Sequence, residues 1–231
     1  YAGKMKKKNM DAQKKNNVKY FSGNTWDYNN IIIKNYNNSD QFHTHKKTAV
    51  LLDTPGPMFG SDSVLFKTKD HLTSEIWYPA LISFFKKIEK MKNIRVDIAG
   101  HPKTLHPANP SYFGNRNVLY GKTLEIVRDS DFVITRESTA ISYAIIFKKP
   151  VIFIYSNQLK KDNLAMSNVN TISTLLGTVP INIDDDLEDF SGLLNINESC
   201  YEAYKKNYLT SNDLPKKNSD ILLEDIMFIK T

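Results

Sequence analysis

The chain has 231 residues, 41% hydrophobic and 11% aromatic, with a formal net charge of +6. Such a length can bury a sizeable core in one or two domains, and such a composition excludes a disordered chain. A lone cysteine, Cys200, excludes an internal disulfide framework and a cysteine-based zinc site, and no apolar run approaches the roughly 18–20 residues that span a bilayer.

The chain opens on a basic, polar lead, Tyr1 to Asn17, with the run Lys6-Lys7-Lys8. This run reads as a solvated helix face or linker, with contact to lipid headgroups as the other possibility. It carries no interleaved aromatics and no nucleic-acid motif, so nucleic acid is not an expected partner. Val18 to His45 hold Tyr20, Phe21, Trp26, Tyr28 and Ile31-Ile32-Ile33 but are too short for a domain of their own. His43 and His45 have the spacing of a metal pair without a third ligand nearby, so no metal site and no cofactor is expected. Residues 1–47 are therefore taken as a lead with a partial N-terminal segment, and 48–231 as the main domain with C-terminal helices. The lead lacks the apolar stretch of a secretory signal, which makes the cytoplasm the expected location, with peripheral contact to the inner membrane face left open.

From Thr48 the pattern becomes regular. Ala49 to Leu52 reads as a strand that ends at Asp53, before the turn-forming Thr54-Pro55-Gly56-Pro57. Ile76 to Met91 has Leu81, Phe84, Phe85 and Ile88 at helical spacing. Arg95 to Ala99 is a second strand, followed by a Pro-rich loop from His101 to Gly114. Thr123–Arg128 reads as helix, Phe132–Thr135 as strand, Ala140–Phe147 as helix and Val151–Ile154 as strand. Leu164–Leu176 is expected to be helical and Val179–Ile183 a fifth strand. Asp184-Asp185-Asp186 opens an acidic, helix-like stretch, and Glu198–Tyr208 and Ile221–Ile229 read as terminal helices. Strands alternating with helices, each strand almost continuously apolar, predict an α/β fold with a doubly wound, parallel, Rossmann-like sheet. Neither a GxGxxG nor a Walker A sequence occurs, and no solenoid-length repeat.

Two predicted strands end in polar residues that parallel strands would deliver to one edge of the sheet. The first runs Ile94-Arg95-Val96-Asp97-Ile98-Ala99 into Gly100-His101-Pro102-Lys103. The second runs Phe132-Val133-Ile134-Thr135 into Arg136-Glu137-Ser138-Thr139, directly before a helix. Free backbone N–H groups at a helix start, joined by two hydroxyls, favour an anion such as phosphate. Simple capping would use the same groups, and the sequence leaves both readings open. Glu137 at the turn is placed to accept from ribose or sugar hydroxyls, or it is a solvated surface carboxylate. Asp53 is suited to catalysis, to orienting substrate, or to capping its turn.

These pieces resemble the C-terminal, donor-binding half of GT-B glycosyltransferases that build bacterial surface carbohydrate. The group meant is the one with an HP motif and a downstream Ser/Thr motif, such as capsule Kdo transferases and sialyl- and polysialyltransferases. The matching residues are Ala99-Gly100-His101-Pro102-Lys103 and Ser130 to Ser142, with Tyr78 to Lys90 similar to the helix before the HP strand. The resemblance spans roughly residues 49–183. It implies that His101, Lys103, Ser138 and Thr139 hold donor phosphate, with Arg136 a second candidate cation. Asp53 and Glu137 are the candidate catalytic carboxylates. The implied partners are a nucleotide-sugar donor, with a CMP-sugar favoured and a CDP donor second, and a glycan or lipid-linked acceptor; no metal is implied. The resembled group draws its general base from an N-terminal half that this stretch does not match. A non-catalytic Rossmann-like module that binds a nucleotide or a protein is therefore the alternative. An epimerase of the same architecture is a weaker third reading, because few acidic residues stand at the required strand ends. His106-Pro107 repeats the His-Pro dipeptide inside the loop and is taken as structural.

Overall fold

The computed structural model describes residues 22–34, 47–57, 71–104, 110–186, 189–210 and 215–227. Six strands form one open sheet: β1 Thr48–Leu52, β2 Arg95–Ala99, β3 Val118–Leu119, β4 Phe132–Thr135, β5 Val151–Tyr155 and β6 Ile181–Asn182. Their order is β3-β2-β1-β4-β5-β6, and every neighbouring pair is parallel. This is the α/β class that the alternating pattern implied.

The apolar strands explain the layering. Side chains alternate across a strand, so Ala49, Leu51, Val96, Ile98, Phe132, Ile134, Ile152 and Ile154 share one face. Against them lies the helix Ser74–Lys92, which buries Trp77, Tyr78, Leu81, Phe84, Phe85 and Ile88. The alternate residues Val50, Leu52, Val133 and Phe153 are also buried. They face the shorter helices Thr123–Asp129 and Ile141–Ile146, which contact β1 and β4. A sheet buried on both faces requires apolar residues at both parities, as the sequence shows.

Several elements differ from expectation. β3 has no counterpart in the sequence reading, because two residues show no periodicity, and it pairs through Ile98–Val118 and Ala99–Leu119. β6 is two residues long and excludes Val179, which is exposed. The helix after Ser138 begins only at Ile141, since Thr139 and Ala140 form a turn. Asp184 and Asp185 lie in a turn instead of opening a helix: Asp184 Oδ2 accepts from Asn157 N–H at 2.7 Å, and Asn182 Nδ2 donates to Asp185 Oδ1 at 3.0 Å. The helix Glu198–Tyr204 gives way to a π-turn over Lys205–Leu209. Two further helices, Asn163–Leu175 and Asn218–Met227, fall within a few residues of the sequence reading, whereas the helix Trp26–Ile33 has no counterpart in it. His43, His45, His106 and the Lys6-Lys7-Lys8 run lie outside the described residues.

Two compact units divide the chain: Gln41–Asn197, which holds the sheet, and Tyr1–Asp40 together with Glu198–Thr231. The second unit joins distant parts of the sequence through asparagine side chains and a backbone hydrogen bond. Asn24 N–H donates to Asn218 Oδ1 at 2.7 Å, Asn218 N–H to Asn29 Oδ1 at 2.8 Å, and Thr25 N–H to Leu209 O at 2.8 Å. Among the described residues, no helix is long and apolar enough to cross a membrane.

Candidate functional site

Strand order places the site. From β1 the chain steps outward to β2 and β3, then returns to the far side of β1 for β4, β5 and β6. The order reverses between β1 and β4, and open α/β sheets bind ligands in the crevice beyond the carboxyl ends of strands at such a reversal. A cleft of about 380 Å³ lies there, lined by the ends of β1, β2 and β4. Asp53, Gly100, His101, Glu137, Ser138 and Thr139 all line it. Five of the residues expected from sequence, Asp53, His101, Glu137, Ser138 and Thr139, therefore share one cavity, whereas Lys103 and Arg136 do not line it. The volume falls at the small end of the ~300–1,000 Å³ usual for ligand pockets.

The β2 end is a tight turn. Gly100 N–H donates to Leu119 O at 3.0 Å, which extends the β2–β3 pairing. A Cβ on Gly100 would lie 2.5 Å from the Tyr120 ring, so only glycine fits between β2 and that ring. Thr104 N–H closes the turn on His101 O at 2.9 Å, and the Tyr120 hydroxyl donates to Thr104 O at 2.9 Å. Inside the turn, Lys103 N–H donates to His101 Nδ1 at 3.1 Å. The Lys103 side chain is exposed and does not line the cleft. His101 is half-buried, and that burial is the main influence holding its pKa below the ordinary imidazole value. The Asp53 carboxylate opposes the shift and Lys103 adds to it.

Asp53 follows β1 directly and is buried. Its Oδ2 accepts from Thr104 Oγ1–H at 2.8 Å and from His101 N–H at 3.3 Å. Below it the Tyr78 hydroxyl is held protonated, its pKa raised first by burial and then by the Asp53 charge.

The β4 end supplies the opposite wall. Ser138 N–H donates to Thr135 Oγ1 and Ala140 N–H to Ser138 Oγ, both at 3.3 Å. Ser138 thus serves the turn as an acceptor, while Thr139 is exposed and its N–H and hydroxyl have no protein partner among the described residues. The helix behind them has six residues, so its dipole adds little, and the donors that matter are local N–H and O–H groups. The Arg136 side chain is 8% exposed. Its NH2 donates to Glu137 Oε1 at 3.1 Å, and its guanidinium lies 5.5 Å from the Trp77 ring centroid. Arg136 does not line the cleft, and its guanidinium is paired with Glu137.

Thr54, Thr104 and Thr123 were missed from sequence. Thr54 and Thr123 line the cleft, and Thr104 clamps the turn. The signal for Thr104 was its place three residues after His101, the spacing at which a hydroxyl reaches back to its own turn. Thr123 carries no such local signal.

No known family's sequence profile matches the chain, and no curated protein matches it either. Among solved structures, the chain is similar to UDP-GlcNAc 2-epimerase of Methanocaldococcus jannaschii, solved with UDP-GlcNAc and UDP, at 10% identity and a TM-score of 0.41. The likeness covers 85% of this chain and 57% of that one, so the chain spans little more than half of the epimerase's length, and nothing about this chain's chemistry follows from it.

Proposed function

We propose that the cleft binds the nucleotide of a nucleotide-sugar, and that the chain is the donor-binding half of a metal-independent glycosyltransferase. The carrying observation is that His101 and the Ser138–Thr139 turn, from two different strand ends, line one cavity at the reversal of strand order. A phosphate there would accept from His101 and from the Thr139 N–H and hydroxyl. As the glycosidic bond breaks, those donors would stabilise negative charge growing on the departing nucleotide. Glu137, fixed by Arg136, is suited to accept from ribose or sugar hydroxyls. Lys103 shapes the turn through its backbone, and its exposed ammonium adds positive potential at the mouth. The reaction proposed is transfer of a sugar, a CMP-sugar first, to a glycan or lipid-linked acceptor.

Calorimetric titration with CMP, CDP, UDP and GDP tests this, and the expected result is a clear preference for a cytidine nucleotide. A preference for UDP would overturn the cytidine assignment. Absence of binding to all four at millimolar concentration would favour a non-catalytic interaction module.

A further inference from the structure

We propose that Asp53 is a positioning residue that locks His101 as the neutral Nε2–H tautomer, so that the cleft always meets its ligand with a hydrogen-bond donor at that ring. This inference rests on the phosphate-binding reading of the cleft for its purpose, though not for its geometry.

A four-residue turn carries the argument. Asp53 Oδ2 receives both ends of it, the His101 N–H at 3.3 Å and the Thr104 hydroxyl at 2.8 Å. The Thr104 hydroxyl also lies 3.1 Å from His101 O. A hydroxyl has one proton, and the shorter approach to a carboxylate is the stronger bond. With both ends held, Lys103 N–H is fixed 3.1 Å from His101 Nδ1. A backbone N–H can only donate, so Nδ1 must present its lone pair, and the proton of a neutral imidazole then sits on Nε2. Nε2 has no protein partner among the described residues, and His101 lines the cleft. The ring therefore offers an N–H to an acceptor such as a phosphate oxygen, and it offers no basic nitrogen to a substrate hydroxyl. The base for an acceptor hydroxyl must come from another group. Asp53 acts through this turn, since its buried carboxylate is committed to the backbone and hydroxyl that shape it.

The test is a long-range proton–nitrogen NMR spectrum of the whole chain, without ligand, at a pH where the ring is neutral. The expected result for His101 is the limiting pattern of the Nε2–H tautomer, with Nδ1 resonating as an unprotonated nitrogen. Asp53→Ala is expected to move both ring nitrogens toward the exchange-averaged values of an unconstrained imidazole, and Asp53→Asn, which keeps an acceptor oxygen, to restore most of the limiting pattern. Thr104→Val removes one strand of the clamp and is expected to give an intermediate shift, and it serves if Asp53→Ala does not fold. An Nδ1–H pattern in the unmodified protein overturns the proposal, as do unchanged His101 nitrogen shifts in both Asp53→Ala and Thr104→Val. The measurement needs no nucleotide. A locked tautomer in a protein that binds no nucleotide would sink the functional reading and leave this inference standing.

Discussion

Replacing Arg116 with alanine is expected to lower folding stability by about 2–4 kcal/mol, a figure set by the ~3–5 kcal/mol for breaking a buried pair, reduced because one partner is partly exposed. The Arg116 side chain is 8% exposed and that of Glu89 24%. Arg116 Nε and NH2 donate to the two Glu89 oxygens at 2.9 and 2.6 Å, and NH1 donates to Phe113 O at 2.8 Å. Its guanidinium also lies 4.9 Å from the centroid of Phe85, a fully buried ring of the core. Glu89 Oε1 in turn accepts from Val96 N–H at 3.1 Å, which ties the long helix to β2. Removing Arg116 strands the Glu89 carboxylate and loosens the segment leading into β3. The comparison is Lys87, whose pair with Asp186 is 36% and 96% exposed, and whose replacement by alanine should cost ~0–1 kcal/mol. Urea unfolding of the two variants checks both. Equal losses would mean that the Arg116 network contributes no more than a surface pair.

Replacing His101 with alanine is expected to weaken nucleotide binding by about 1.5–3 kcal/mol, the size of a hydrogen bond to a charged group, which is roughly 10- to 150-fold in Kd. Ser138→Ala with Thr139→Val should cost the same or less, because the Thr139 N–H survives the change. The two sets share one ligand group and should fall short of additivity. Folding stability should change in the Ser138 and Thr139 variant by no more than the ~1 kcal/mol of a lost cap. His106→Ala is the control and should leave affinity unchanged. Titration calorimetry on each variant decides the matter. An unaltered affinity in folded His101→Ala would remove His101 from the site, and a loss in His106→Ala would transfer the role to the other His-Pro.

The parallel sheet was legible because parallel strands must be apolar on both faces. Ala49–Leu52, Phe132–Thr135 and Val151–Ile154 therefore stand out as short apolar runs between helices. β3 was not legible, since two residues carry no period and the pairing with β2 comes from tertiary context. The candidate cleft was readable as far as chemistry-bearing residues sat at strand ends: His101, Ser138, Thr139, Glu137 and Asp53, singled out on that ground, line one cavity. Their division of labour was not readable. Nothing local says that Asp53 reaches Thr104, 51 positions away, or that the Lys103 N–H meets His101 Nδ1 while its side chain stays outside the cleft. The roles of Arg136 and Glu137 were equally hidden, because the Trp77 ring that shelters the guanidinium comes from a distant helix.

The most direct test of the cleft is a map of backbone amide shifts during titration of the nitrogen-15-labelled chain with CMP. The expected result is that the largest changes fall on Thr54, Gly100, His101 and Thr139, at the ends of β1, β2 and β4. Saturable shifts confined to other parts of the chain, with those four amides unmoved, would contradict the assignment of this cleft as the nucleotide site.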